Sequence, residues 1–294
     1  MYPSGFFIAV RAFLFKLAKA GRLWYTFGMD FDISLLSDMK DKDFSRQGLM
    51  ALEGRIVIEK AIEADVEIIG LVCSEESPEV WLENSSGKFP IRRIGHVELC
   101  DIVGFPFHHG AIAVAKRPAL RPFRAGCATP EPQSVSPADR GAYLCLWNVA
   151  DPSNVGALIR SAVGLGASAV LLGPGCADPY YRKALRTSMG NAFSLPLHSC
   201  DSGTLAELGE AGFEVAAATL SPAAIPIGTF VPRRPLALIV GNEGFGIPAD
   251  IVALCGTEVY IPMAAGVDSL NVVVAAGICM YELFGKSLAP LKRP

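Results

Sequence analysis

Five polar side chains lie in three short stretches whose neighbours are mostly apolar, and their types suit ligand handling. The first stretch, Trp147-Asn-Val-Ala-Asp-Pro-Ser-Asn-Val-Gly-Ala-Leu-Ile-Arg160, carries Asn154 and Arg160. The second, Leu238-Ile-Val-Gly-Asn-Glu-Gly-Phe-Gly-Ile-Pro248, carries Glu243. The third runs from Val259 through Ile261-Pro-Met and Ser269-Leu-Asn-Val-Val273 to Gly277 and carries Ser269 and Asn271. Arg160 is the only charged residue between Asp151 and Asp178, and Glu243 the only one between Arg234 and Asp250. A lone charge in a close-packed apolar neighbourhood is costly unless it is paired or used. Each residue also has a plain structural explanation. Arg160 fits a structural ion pair or a helix surface, and Glu243 a cap for the helix near Pro248 or an acceptor for loop amides. Asn154 fits a turn or cap after Asp151-Pro152, and Ser269 the N-cap of the last helix. Asn271, expected in that helix's first turn, has no evident local reason to be Asn.

The elements that would position these groups alternate. Strands are expected at 142–149, 168–172, near 193–197, and at 213–218, 236–240 and 258–262. Helices are expected at 154–165, 180–189, 202–211, 248–255 and 270–284. Apolar strands alternating with helices imply a parallel sheet covered on both faces, with ligands bound at the carboxyl ends of its strands. All three polar stretches fall at such ends, and we read them as one site. Before them, residues 49–63 read as a short strand and an amphipathic helix, 67–73 as a buried strand and 110–115 as a closing strand, with a loop-rich interval at 74–90. Prolines 118, 122, 130, 132 and 137 mark a linker. Residues 1–28 hold Arg11, Lys16, Lys19 and Arg22 and no acid; they are expected to be an upstream extension, with Met29 the natural start.

The 294 residues suffice for two domains, and the 51% hydrophobic content exceeds what one soluble core needs, pointing to a buried subunit interface. No apolar run reaches the ~18 residues of a membrane span. A net charge of −3 excludes a whole-chain basic signature, so any nucleic-acid surface must be local. Eight scattered cysteines without CxxC spacing fit buried thiols in a reducing, cytoplasmic setting, and no metal site is expected. His108-His109 reads as a loop feature.

Taken together, Asp-Pro-x-Asn-x-Gly-x-x-x-Arg, Gly-Asn-Glu-Gly-x-Gly and Ile-Pro-Met…Ser-Leu-Asn-Val resemble, in order, the three motifs of the SpoU/TrmH (SPOUT) family of RNA ribose 2′-O-methyltransferases. The resemblance covers residues 141–285 and includes Lys183-Ala-Leu-Arg-Thr-Ser-Met-Gly190. Leu52-Glu-Gly-Arg-Ile-Val-Ile and Gly110-Ala-Ile-Ala-Val-Ala-Lys-Arg-Pro118 resemble the family's small N-terminal domain of the ribosomal-protein L30e kind. The implied α/β architecture is an extension over 1–28, an L30e-like RNA-binding domain over 29–118, a linker over 119–139, and a trefoil-knotted parallel-sheet methyltransferase domain over 140–294.

The resemblance further implies S-adenosylmethionine as cofactor, touching Ala218, Gly241, Ile261 and Leu270 largely through backbone groups, and a catalytic set of Arg160, Asn154, Glu243, Ser269 and Asn271. It implies a homodimer in which Arg160 and Asn154 complete the partner's site, and an RNA substrate, with ribosomal RNA preferred over transfer RNA. Holding an arginine neutral near pH 7 costs at least ~7 kcal/mol, from ~1.36 kcal/mol per unit of pK. A phosphate clamp is therefore the expected role of Arg160. Local basic groups such as Arg92, Arg93, Lys116, Arg117, Arg121 and Arg124 are expected to meet the RNA. Two departures from the family pattern are Val273, where Ser is frequent, and Asn191, where a small residue is usual. Two other readings are a Rossmann-type nucleotide enzyme, on the glycines of 241–246, and a non-catalytic RNA-binding paralogue.

Overall fold

The computed structural model describes residues 31–37, 40–75, 88–104, 110–124, 141–233 and 235–288. The expectations for residues 1–28, for His108-His109 and for most of the linker lie outside them.

Among the described residues the N-terminal half holds α1 (Asp41–Arg46), β1 (Leu49–Glu53), α2 (Arg55–Glu63), β2 (Ile68–Ser74), β3 (Ile91–Ile94), α3 (His96–Val103) and β4 (Ala111–Lys116). The strand order is β1-β4-β2-β3, with β4 antiparallel to both β1 and β2, and β3 parallel to β2. Successive side chains of a strand face opposite ways, and here both faces are buried. Met50, Leu52 and Leu71 pack with Val57, Ile58 and Ala61 of α2, whereas Ala51, Val72 and Val114 pack with Phe44 and Leu99 on the other side.

The C-terminal half follows as β5 (Arg121–Pro122), β6 (Ala142–Leu146), α4 (Pro152–Gly164), β7 (Ala169–Leu172), α5 (Arg182–Thr187), β8 (Leu197–Ser199), α6 (Ser202–Glu210), β9 (Glu214–Ala218), β10 (Ile225–Pro226), β11 (Leu236–Val240), α7 (Ala249–Val252), β12 (Thr257–Tyr260) and α8 (Val272–Leu283). Its eight strands are all parallel, in the order β10-β12-β9-β11-β6-β7-β8-β5. The alternation expected from the sequence is present, with corrections. The short strand lies at 197–199, the helices expected at 180–189 and 248–255 shorten to six and four residues, and β10 was not foreseen. Arg121–Pro122, assigned to the linker, form the edge strand of this sheet, and Phe123 is buried against it. Proline is tolerated on an edge because its missing N–H faces no neighbour.

The two halves share one apolar cluster, and charge lines its rim. Glu53 is buried, and its carboxylate accepts from Arg182 Nη1 at 3.4 Å and Arg186 Nη1 at 2.7 Å. Arg182 also reaches Asp41 at 2.7 Å. Asp178 accepts from Ser45 Oγ at 3.1 Å and Arg117 Nε at 3.0 Å. Asn191, the residue at odds with the family pattern, accepts a hydrogen bond from Lys60 of α2. Its polarity thus serves the contact between the halves.

Helix α4 rests on α5, and the approach is set by Gly156. A Cβ there would overlap Thr187 Oγ1 and the Ala184 carbonyl. Gly156→Ala is therefore expected to destabilise the fold by ~1–3 kcal/mol through overpacking. A lowered denaturant midpoint checks this, and an unchanged one would show that α4 and α5 can separate freely.

Candidate active site

The site forms where β6 and β11 lie side by side and the chain leaves them in different directions, with β7 and β8 on one flank and β9 and β12 on the other. Such a switch point opens a crevice beyond the strand ends. The loop after β6 is held by Trp147 N–H to Val240 O at 2.9 Å and Asn148 N–H to Pro174 O at 3.0 Å. Asn148 has a φ of 56°, a left-handed conformation that Asn tolerates better than most side chains. Asp151 caps α4 by accepting from Ser153 N–H at 2.9 Å, with Pro152 in the first turn, and pairs with Lys183 Nζ at 3.0 Å. The Ser153 amide, then Lys183, hold its carboxyl below the usual range. The cap is thus Asp151, and Asn154 sits inside the helix, its amide turned to the loop after β11.

That loop closes on itself. Asn242 N–H donates to Gly246 O at 3.2 Å, and Gly246 N–H to Asn242 O at 2.8 Å. Asn242 Oδ1 accepts from Gly244 N–H at 2.8 Å and Phe245 N–H at 3.1 Å, and its Nδ2 donates to Asn148 O at 3.0 Å. Gly241 is required because a Cβ would lie 2.5 Å from the Gly246 carbonyl carbon and 2.7 Å from Ile247 Cγ1. The loop presents Glu243, whose Oε1 accepts from Asn154 Nδ2 and, at 3.4 Å, from Asn271 Nδ2.

In the third stretch the structure corrects the sequence reading. Ser269 is exposed and caps nothing. Asn271 is the N-cap of α8, accepting from Val273 N–H at 3.0 Å. Asn271 therefore has two tasks, the cap and Glu243. Val273 is partly buried against the main core.

A cavity of about 690 Å³ opens beside this cluster, lined by Ala218, Gly241, Ile261 and Leu270, with Glu243 and Ser269 also on its wall. Asn154, Asn271 and Arg160 are not on that wall. Arg160 is exposed near the end of α4 and has no acidic partner among the described residues, so the desolvation expected from its apolar neighbours in sequence does not arise. Helix α4 buries its other faces through Val155, Leu158, Ile159 and Ala162. Sequence reasoning missed Asn242 and Asn148, which turn chemistry could have found, and Glu258, which gave no local signal. Glu258 lines the cavity and accepts from Thr219 Oγ1 at 2.8 Å. Cys279 also lines it, but burial, then the Glu282 charge, pushes its thiol up to about 12, so it is protonated and no nucleophile at neutral pH. Among the described residues no group of three or more His, Cys, Asp or Glu could hold a metal, seven cysteines are free, and no helix is long and apolar enough to cross a membrane.

The expected basic surface is also revised. Arg117 is largely buried, pairing with Asp178 at 2.9 Å and lying 5.1 Å over the Tyr180 ring. It joins the two halves, with its guanidinium engaged by Asp178. Lys116 and Arg124 pair with Glu67 and Glu207 at 2.7 and 3.0 Å. Arg92, Arg93 and Arg121 stand exposed.

Comparison with known proteins matches residues 141–281 to the SpoU rRNA Methylase family. A tRNA/rRNA methyltransferase of Mycobacterium bovis, itself uncharacterized, is 33% identical over 80% of this chain and 81% of its own. The 23S rRNA (guanosine(2553)-2′-O)-methyltransferase RlmP of Bacillus subtilis is 34% identical over 59% of this chain and 68% of its own. An AdoMet-bound rRNA methyltransferase from Sinorhizobium meliloti shares the fold, with a TM-score of 0.72 at 24% identity, covering 87% of this chain and 94% of that one.

Proposed function

Because the chain belongs to the SpoU rRNA methylase family, we infer that it transfers a methyl group from S-adenosylmethionine to a ribose 2′-hydroxyl of RNA, ribosomal RNA before transfer RNA. The observation that carries this reading is the Glu243 carboxylate, which joins Asn154 and Asn271 beside a cavity lined by Ala218, Gly241, Ile261 and Leu270. The RlmP relative, named for 2′-O transfer to 23S rRNA, supports the ribose and the substrate class.

The cavity fits the donor. Its volume lies within the ~300–1,000 Å³ of small-molecule sites. Gly241 and Gly244 leave backbone accessible on its wall, and Ile261 and Leu270 supply apolar surface for a purine. When bound, S-adenosylmethionine brings a methyl group already activated on a sulfonium, so the chain's residues have to orient and prepare the hydroxyl. Exposed and without an acidic partner among the described residues, Arg160 is available to clamp the phosphate beside that ribose and to offset developing negative charge. Asn154 places the RNA, and Glu243 fixes the amides of Asn154 and Asn271. Ser269, on the cavity wall, contacts the ribose or the donor. These groups are all present, which argues against a non-catalytic paralogue. The Rossmann reading is set aside with the family assignment, and the turn at 241–246 is followed only by the four-residue α7.

The active form in this reading is a homodimer. Arg160 lies off the wall of its own chain's cavity and would complete the partner's. On α8, Val274, Ile278 and Tyr281 form an exposed apolar stripe opposite the buried Val272, Ala276 and Met280. The trefoil knot belongs to the same reading. After β11 the chain passes beyond β9 to β12, then returns to pack α8 on α4 and β11. The N-terminal half acts as an L30e-like RNA-binding domain, and the enzyme works in the cytoplasm.

Unmodified total RNA and labelled S-adenosylmethionine are expected to give label in alkali-resistant dinucleotides. Arg160→Ala should lower it by roughly a hundredfold or more, the loss typical for removing a transition-state contact. Label in alkali-sensitive nucleotides would move the chemistry to a base, and absence of donor binding would sink the reading. Ile278→Asp is expected to give inactive monomers on sedimentation; a wild-type monomer with full activity would contradict the shared site.

A further inference from the structure

We propose that Phe245 is a stacking platform for a base of the RNA, adjoining the ribose that is methylated; this rests on the function proposed above. Phe245 is 88% exposed, the most exposed large apolar side chain among the described residues. It is not a loose side chain on a loose loop. Its own N–H is bound by Asn242 Oδ1, the turn is closed by the Asn242–Gly246 pair, and Asn242 is tied to Asn148 of the neighbouring loop. Its flanking residues are both glycines. A Cβ at Gly246 would meet nothing within 4 Å, and one at Gly244 only Asn242 Oδ1 at 3.4 Å. The sequence neighbours therefore leave the ring uncovered. Glu243, Gly244 and Gly246 line the cavity and Phe245 does not, so the turn that carries the ring borders the cavity while the ring itself is left to solvent.

The surroundings select a base over other occupants. The groups next to the turn are polar, namely Glu243, Asn154, Asn271 and Asn242, whereas the core of a protein interface is apolar. A second copy of the chain has the Val274, Ile278 and Tyr281 stripe of α8 to cover. The Glu243 carboxylate disfavours a phosphate against this turn, which leaves a base as the part of the RNA strand that meets the ring. An aromatic face accepts any base by stacking. Phe245 would thus hold the nucleotide in place without reading its identity.

The test compares Phe245→Ala, Phe245→Leu, Phe245→Tyr and Phe245→Trp in the full chain. It measures RNA affinity by filter retention without donor, donor affinity by calorimetry, oligomeric state by sedimentation, and transfer kinetics. Stacking of one base corresponds to a loss of about 5- to 150-fold on removal of the ring. Alanine and leucine are expected to weaken RNA binding and raise KM for RNA by roughly tenfold, with donor affinity and oligomeric state unchanged, and tyrosine and tryptophan to keep both near wild type. Leucine equal to phenylalanine would overturn stacking, as would alanine equal to wild type. A shift in oligomeric state would overturn it too, placing the ring in a subunit interface. Wild-type protein that binds donor but no RNA would instead overturn the proposed function itself, a result distinct from any failure of the variants.

Discussion

The candidate site depends on one carboxylate. Glu243 Oε1 receives the amide of Asn154 from the helix after β6 and that of Asn271 from the cap of the last helix, so three segments far apart in sequence meet at one oxygen. The parallel sheet makes the meeting possible, because β6, β11 and β12 all end at the same edge and their loops must leave it together. The turn holding Glu243 is fixed first by its own backbone and by Asn242. Hydrogen bonds to a charged acceptor are the stronger kind, and a carboxylate accepting two amides orders its neighbours without a metal or a covalent link.

Behind that oxygen lies a chain of contacts running to the other half of the molecule. Helix α5 is only six residues long, yet three of its basic side chains face two ways. Lys183 reaches Asp151, the cap of α4, while Arg182 and Arg186 reach the buried Glu53 of β1. Its Ala184 and Thr187 meet α4 at Gly156. The helix carrying Asn154 and Arg160 thus rests on a helix that is ion-paired to the N-terminal sheet. With Lys60–Asn191 and Arg117–Asp178 added, the two halves form a continuous support. If the N-terminal half holds RNA, this contact sets where that RNA stands relative to Asn154.

Much of this was legible in the sequence, because the apolar strand pattern and the three motifs are strong local signals. The order of strands and helices in residues 142–283 follows the reading apart from β10, and Ala218, Gly241, Ile261 and Leu270, expected from the resemblance to touch the cofactor, line one cavity. The misreadings have physical causes. Ser269 and Asn271 are both good caps, and only the path of the loop decides between them. For Arg160 the sequence left a structural ion pair and a helix surface position open, because its neighbours in sequence are apolar but a helix sends neighbours to different faces; the structure places it on the exposed one. Arg117 looked available to RNA, whereas its partner Asp178 is distant in sequence and invisible to local patterning. The proline-rich stretch hid an edge strand in Arg121–Pro122 because a two-residue strand has no periodicity to detect.

If these loops act as a unit through Glu243, a double-mutant cycle on Asn154→Ala and Glu243→Ala will expose the coupling between them. With transfer to RNA as the readout, kcat/KM of the double variant should fall no further than that of the worse single variant, a coupling of ~0.5–3 kcal/mol. If the two losses multiply instead, Asn154 and Glu243 act independently, and the hydrogen bond between them does not hold the site together.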